Sequence, residues 1–310
     1  MKKVAVCICS YQREIGLARL LKGLKGQPTP EGWETQIRVV SNDPDVDRGR
    51  FEECVHRVLP EAIVAFEPRQ NIAHARNASI AIGRADAFAF IDDDECPSER
   101  WLFSLLVRLD DPAVDAVFGP VLGVQHGWAP RWLEKTGAFD KLGPDHDGEI
   151  NWTQTRTSST LVRGSLMGPD AFLFNPAYGQ SGGSDTELFR RMELDGARFV
   201  HERKAFVYEE NDPGRCNLRA VVRRRYQAGV VYGRMMYTNK VAKPAFHVVS
   251  RVVWGVAEMG LGSVLVCVGK PEFAFRGLCR AVGAAGCWKG RNPEYTVFRY
   301  TPKHTPSSTG

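Results

Sequence analysis

Along the first 120 residues the apolar positions switch repeatedly between unbroken runs and a spacing of three to four. Residues 3–9 form an apolar stretch of strand length, after which Leu17, Leu20, Leu21 and Leu24 recur at i, i+3, i+4 and i+7, as on one helix face. The alternation then repeats. Residues 36–40 read as a strand, Phe51, Val55, Val58 and Leu59 as a helix face, and residues 62–66 as a third strand. A helix is predicted over 72–83 and a short buried strand over 87–91, and a further helix carries Trp101, Leu102, Leu105 and Leu106. Strands alternating with helices in this way predict a doubly wound, largely parallel α/β sheet.

After Gly119-Pro120 the pattern turns irregular, with Trp128, Pro130, Trp132, Gly137, Gly143 and Pro144 in a loop-rich stretch of the kind that carries function or wraps a site. A further α/β unit is predicted from 159–163, with a helix over 186–194 behind the Gly182-Gly183 turn and a strand ending at 207–209. From about residue 218 the composition shifts to a basic helix over 219–234 and then to an apolar-rich segment over 245–268. The best apolar stretch there has 17 residues and contains Glu258, against the roughly 20 apolar residues a membrane span needs. An amphipathic, interfacial helix flanked by Arg251, Lys270, Arg276 and Arg280 is the expectation.

Composition narrows the class only modestly. A chain of 310 residues with ordinary apolar, charged, glycine and proline content is a globular protein able to bury a sizeable core. The net charge of +5 conceals an asymmetry: from residue 214 onward 16 Lys/Arg stand against 3 Asp/Glu, leaving 25 against 33 before it. A basic tail on an acidic body suits an anionic membrane surface, a nucleic acid or a solvated face. Eight cysteines form no C-x-x-C pair and lack the His spacing of a zinc site, so they read as thiols in a reducing compartment. The charged start runs directly into a strand, which predicts no signal segment and a cytosolic catalytic part.

The candidate chemistry gathers at strand ends. Asp92, Asp93, Asp94 and Glu95 follow the buried strand without interruption. Like charges this close need a counter-charge, and a divalent cation with oxygen ligands supplies one. Asp92 and Asp94 would project to one side if the strand continued, at the edge of the sheet where open α/β folds bind ligands. The alternative is a solvated acidic loop in which Asp94 or Ser98 caps the next helix. Asp43, at the end of the second strand, could accept hydrogen bonds from a base or ribose, or simply belong to a Pro/Asp turn. The run from Asp43 fails as a calcium loop, because Arg48 and Cys54 stand where glycine and glutamate are required.

Arg76 lies near the start of the 72–83 helix, where a guanidinium fork and the helix dipole can meet a diphosphate, although it could equally pair with nearby acids. His74 reads as a partly buried helix residue. Ser184 and Glu187 have the spacing of a capping box. Asp185 between them is placed either as a general base or as compensation of the helix dipole.

Taken in order, CICSYQRE at 7–14, NIAHARNA at 71–78, FAFIDDDE at 88–95, AVFGPV at 116–121, APRWL at 129–133 and GQSGGSDTELF at 179–189 resemble the family 2 glycosyltransferases. The likeness is to the bacterial exopolysaccharide type, the succinoglycan glucosyltransferases in particular. The resemblance implies a GT-A fold and inverting transfer from a UDP-sugar. By position, Tyr11 and Arg13 would line the nucleotide pocket with Asp93, Asp43 would meet the uracil and Arg76 the donor side. Asp92 would approach the ribose or the metal, and Asp94 would bind Mg²⁺ or Mn²⁺ at the diphosphate, stabilising charge on the departing UDP. Asp185 would take the proton of an acceptor hydroxyl. The resemblance runs from Val4 to roughly Gly233. Together with the composition shift, the expected organisation is a catalytic domain over 1–215, split near 120 into nucleotide-sugar and acceptor halves, then a basic helical region over 216–300 that associates with the membrane and a disordered tail over 301–310.

Two positions depart from the pattern. Relatives usually carry Glu where this chain has Ser184, and often His where it has Tyr208, ahead of Glu209 and Glu210. The Arg223 to Gln227 run lacks the order of the Gln-x-x-Arg-Trp signature of processive synthases, which predicts one sugar per encounter. The expected acceptor is a glycan or lipid-linked oligosaccharide, and the expected place is the cytoplasm, peripheral on the inner face of the cell membrane. No nucleic-acid partner is expected, since no recognised module accompanies the basic tail. Two rival readings are a catalytically inactive nucleotide- or glycan-binding scaffold at the membrane, and a nucleotidyltransferase. The second would call for a Gly-rich N-terminal loop with lysine, which CICSYQRE lacks.

Overall fold

The computed structural model describes residues 1–238, 253–258, 271–292 and 295. The expected tail over 301–310 and most of the apolar segment over 245–268 lie outside the described residues. The alternation read from the first 120 residues is realised as β1 (Lys2–Ser10), α1 (Glu14–Leu24), β2 (Trp33–Ser41), α2 (Arg48–His56), β3 (Ile63–Phe66), α3 (Ile72–Ala81), β4 (Ala87–Phe90) and α4 (Trp101–Leu109), with two short strands that the pattern did not mark, β5 (Glu95–Pro97) and β6 (Ala116–Phe118). The rest comprises β7 (Val121–Val124), α5 (Arg131–Glu134), β8 (Gly148–Ile150), β9 (Thr160–Arg163), α6 (Ser184–Leu194), β10 (Phe199–His201), β11 (Val207–Glu210), α7 (Leu218–Thr238) and α8 (Glu272–Gly290).

Eight strands form one sheet in the order β3-β2-β1-β4-β9-β6-β10-β8. Its β3-β2-β1-β4 half is parallel, and β9 runs antiparallel to both β4 and β6. β1 lies inside this sheet with layers on both faces, which explains its unbroken apolar run. Val4, Val6 and Ile8 pack with Leu17, Leu20, Leu21 and Leu24 of α1, while Ala5 and Cys7 face Phe88, Phe90 and Phe174 on the other side. Each fully buried leucine contributes about 2 kcal/mol relative to exposure, which is how period and burial agree on α1.

Of a second, three-stranded sheet, β5-β11-β7, the pattern marked only the strand at 207–209; β5 and β7 are three and four residues long and show no periodicity. β11 pairs antiparallel with β5 and parallel with β7. The four acids therefore lie where the chain leaves the large sheet at β4 and enters the small one at β5.

The helix behind the Gly182-Gly183 turn starts at Ser184, two residues earlier than predicted. Its N-cap is Gly183, left-handed at φ 91°, so the capping box expected from Ser184 and Glu187 does not form. Glu187 instead pairs with Arg191 at 2.8 Å. A side chain at Gly183 would collide with Val231 of α7, its Cβ landing 2.1 Å from a methyl carbon. Glycine is required there twice over, by conformation and by space.

The predicted basic helix is α7. It runs parallel to α8, as the order of their contacts shows: Gly229 lies against Gly283, and Gly233 against Cys287. Among the described residues no helix is long and apolar enough to cross a membrane.

Candidate active site

The backbone after β1 opens the site. Gln12 is left-handed at φ 55°, which turns Arg13 back over the end of β4. The Arg13 guanidinium donates to Asp93 at 3.2 Å and forms a closer bond with Asp94, and the Tyr11 amide reaches Asp93 at 3.4 Å. Arg215 approaches Asp94 from the far side at 3.5 Å. Burial, reinforced by Asp92, pushes the Asp94 carboxyl up to about 6 against the pull of Arg13. Burial likewise raises Asp93, opposed by Arg13 and the Ser10 hydroxyl. For Arg13 itself burial pulls downward, but the charges of Asp94 and Asp93 outweigh it and hold the guanidinium firmly protonated.

Asp92 is differently placed. Its side chain keeps 40% of its exposure, receives Arg76 at 3.3 Å on one oxygen and the Ser158 hydroxyl at 3.2 Å on the other. Arg76 is buried on α3 and also reaches the Ser184 hydroxyl at 3.5 Å. One guanidinium thus ties the end of β4 to the first turn of α6, where Asp185 follows Ser184. The N-cap of α3 is Asn71, whose side chain accepts from the Ala73 amide at 2.9 Å. Gly179 leans directly on that cap: a Cβ there would lie 1.7 Å from the Asn71 side-chain oxygen. The stretch leading into α6 and the start of α3 are therefore packed together at Gly179 and bridged by Arg76 at Ser184.

Beneath the acids lies a second charge cluster on the small sheet. Glu209 stands opposite Glu95 in the β11-β5 register, and Lys141 binds Glu209 at 2.6 Å. Burial, then Asp92, drives Glu95 well above the ordinary carboxylate range, with Lys141 opposing. Burial pulls Lys141 down, but Glu209 and Glu95 outweigh it and hold it charged. Arg156 donates to the Lys141 carbonyl at 2.5 Å; burial pulls its guanidinium down, opposed by the charges of Glu95, Asp185 and Glu209.

The structure brings together Tyr11, Arg13, Arg76, Asp92, Asp93 and Asp94, with Asp185 one residue beyond the Arg76 bridge. Asp43 lies at the same edge of the sheet, where its side chain accepts from the Asp45 amide at 3.1 Å in a local turn. Tyr208 points outward against Phe206, on the opposite side of β11 from Glu209. Lys141 and Arg156 carried no signal in the sequence, because each lies in an irregular stretch and acquires its neighbours only through the small sheet.

Among the described residues no three of His, Cys, Asp and Glu converge tightly enough to enclose a metal ion. Asp92 and Asp94 nevertheless carry the donor type that suits a hard divalent cation: two carboxylates at a strand end, Asp92 partly open and Asp94 buried and paired with Arg13 and Arg215.

The model for glycosyl transferase family 2 matches residues 5–172 of this chain, more than half its length. The chain is a family 2 glycosyltransferase. This glycosyltransferase is 30% identical over 264 residues to the succinoglycan biosynthesis protein ExoM of Rhizobium meliloti (strain 1021), covering 84% of the chain and 81% of ExoM. Among solved structures it is similar to S. aureus TarS 1–349 in complex with UDP, with a TM-score of 0.51 at 14% identity, covering 97% of the chain and 94% of the other. A longer TarS structure gives a TM-score of 0.53 at 16% identity, covering 76% of this chain but only 40% of that one. At such identities the likeness to TarS shows the fold, which is GT-A-like.

Proposed function

We propose that this glycosyltransferase moves a sugar from a UDP-sugar to a hydroxyl of a glycan or lipid-linked acceptor during cell-surface polysaccharide synthesis, inverting the anomeric centre and adding one sugar per encounter. The observation that carries the reading is Arg76, which joins Asp92 on the donor side to Ser184 beside Asp185 on the acceptor side. The UDP in the TarS complex and the ExoM likeness support the donor and the pathway class.

In this reading Asp92 and Asp94 would hold Mg²⁺ or Mn²⁺, with Arg13 and Arg215 releasing Asp94. The ion supplies charge stabilisation for the departing diphosphate. Tyr11, Arg13 and Asp93 bound the nucleotide pocket, with Asp43 at its edge for the base. Arg76 offers its fork to the donor where the α3 N-terminus adds a favourable dipole. Asp185 accepts the proton of the acceptor hydroxyl while that oxygen attacks the anomeric carbon from the face opposite UDP. The enzyme works in the cytoplasm, held at the inner membrane face by its basic C-terminal region.

The test is UDP release from a panel of UDP-sugars with Mg²⁺ or Mn²⁺, comparing wild type with Asp94→Ala and Asp185→Asn. Metal-dependent turnover, abolished by the first and reduced on the order of 10²–10⁴-fold by the second, is expected. Turnover that survives both substitutions, or no UDP binding by calorimetry, overturns the reading; UDP binding without turnover would instead favour an inactive scaffold.

A further inference from the structure

Residues 253–258 and α8 present large apolar side chains to solvent beside arginines. Val253, Trp254 and Val256 are each more than half exposed, and Phe273 and Trp288 of α8 are exposed as well. Gly255 seats this short helical segment on α8, since a Cβ there would lie 2.9 Å from the Ala281 nitrogen. The seating is fastened by Glu258 and Arg280, 3.1 Å apart. Among the described residues this segment meets α8 through its glycine, and Val253, Trp254 and Val256 are turned away from that contact.

Along α8 and at its C-cap, Phe273, Arg276, Arg280, Trp288 and Arg291 are exposed, while Gly277, Ala284 and Cys287 between them are buried against the segment over 253–258 and α7. Each exposed ring carries its own cation three residues on. The Arg291 guanidinium lies 3.4 Å over the Trp288 ring and that of Arg276 5.6 Å from the Phe273 ring. A ring capped by a guanidinium has an apolar body and a cationic rim, the form that settles between acyl chains and anionic headgroups. Charge decides the partner further. Glu272 is the single acid of α8, Glu258 is neutralised by Arg280, and the chain from residue 214 onward has 16 basic residues against 3 acidic.

We infer that this face docks on an anionic bilayer, with Val253, Trp254, Val256, Phe273 and Trp288 entering the boundary below the headgroups and Arg276 and Arg291 meeting lipid phosphates. The inference rests on the reading of the chain as a membrane-peripheral transferase and names the surface responsible. It also gives docking a route to the site. α8 is joined to α7 by backbone contact at Gly229 and Gly233, and Val231 and Met235 of α7 sit against Gly183, two residues before Asp185. A protein docked by this face holds the acceptor side of the enzyme in register with acceptors anchored in the same bilayer.

The experiment is sedimentation of the full chain with vesicles of phosphatidylglycerol and phosphatidylcholine, and with phosphatidylcholine alone. Wild type is expected to pellet with the anionic vesicles and to stay in solution with the neutral ones. The double variants Trp254→Ser/Trp288→Ser and Arg276→Gln/Arg291→Gln should each weaken partitioning at least tenfold, with circular dichroism and UDP affinity unchanged. Wild type remaining in solution with anionic vesicles overturns the proposal, as does pelleting of both variants like wild type. A tryptophan variant that pellets normally but dissociates a dimer in sedimentation velocity would assign the face to a protein partner and equally overturn it. UDP calorimetry separates the two readings: binding without pelleting removes the docking surface alone, and pelleting without binding removes the transferase reading.

Discussion

Lys141 and Glu209 form an ion pair of 2.6 Å directly beneath the strand-end acids, and the cation is shared electrostatically with Glu95, the register partner of Glu209. Glu95 has one side-chain oxygen without a hydrogen-bond partner among the described residues. Lys141→Met removes the positive charge facing both acids. Breaking a fully buried pair costs about 3–5 kcal/mol; because the Lys141 side chain keeps 41% of its exposure, a loss of about 2 kcal/mol is expected. Thermal melting checks it, and Glu209→Gln in the same background should restore part of the loss. An additive second loss would show that the pair is not coupled.

His201 makes stability depend on pH. It is buried on β10, with Nδ1 3.3 Å from the His146 carbonyl and Nε2 without a partner among the described residues. Burial holds its imidazole below the usual range. The unfolded chain therefore takes up the proton first as pH falls, so stability present above about 6.5 is lost progressively toward the folded-state pKa. The melting temperature is expected to drop between pH 7.5 and 5.5, and His201→Gln should flatten that slope. An unchanged slope in the variant would place the titrating group elsewhere.

The large sheet was legible because each of its early elements had a full period to display. Leu17, Leu20, Leu21 and Leu24 mark a buried face whatever surrounds them, and β1 is long enough for an apolar run to declare both sides covered. The acids were legible for a different reason: four in succession at the end of a buried strand call for counter-charges wherever they fold. Of the small sheet only the strand at 207–209 was marked, since Glu95–Pro97 shows no alternation and is defined by a partner more than 100 residues away. Arg156 and Lys141 were invisible for the same cause. Ser184 shows the opposite error, where a local motif suggested a cap and tertiary packing on Gly183 decided otherwise.

The α7–α8 contact is made by absent side chains. Gly233 lies where a Cβ would come within 2.1 Å of the Cys287 carbonyl oxygen, and Gly286 where it would come within 2.2 Å of the Tyr226 oxygen. Backbone atoms cannot yield as a side-chain tip can, so Gly233→Ala forces the helices apart. A destabilisation of about 1–3 kcal/mol is expected, with faster proteolytic cleavage of the α8 region than of the large sheet. Gly26→Ala is not a suitable control, being left-handed at φ 75°, whereas Gly214→Ala meets nothing nearby and should melt like wild type.

Arg76 distinguishes a structural from a functional bridge. Its guanidinium reaches Asp92 at 3.3 Å and Ser184 at 3.5 Å, and its flat face lies 5.4 Å from the Phe174 ring. A lysine can supply the charge to Asp92, but its single ammonium lacks the planar fork that spans two partners. If Arg76 only braces the fold, Arg76→Lys and Arg76→Ala should lower the melting temperature and leave the turnover of folded enzyme near wild type. If it organises donor and catalytic turn together, Arg76→Ala should lower kcat/KM on the order of 10²–10³-fold. Arg76→Lys should then recover donor KM more than kcat, because charge is restored while the tie to the Asp185 turn is not. That KM-against-kcat split, measured on UDP release at matched temperature below both melting transitions, is the outcome the bridge geometry requires.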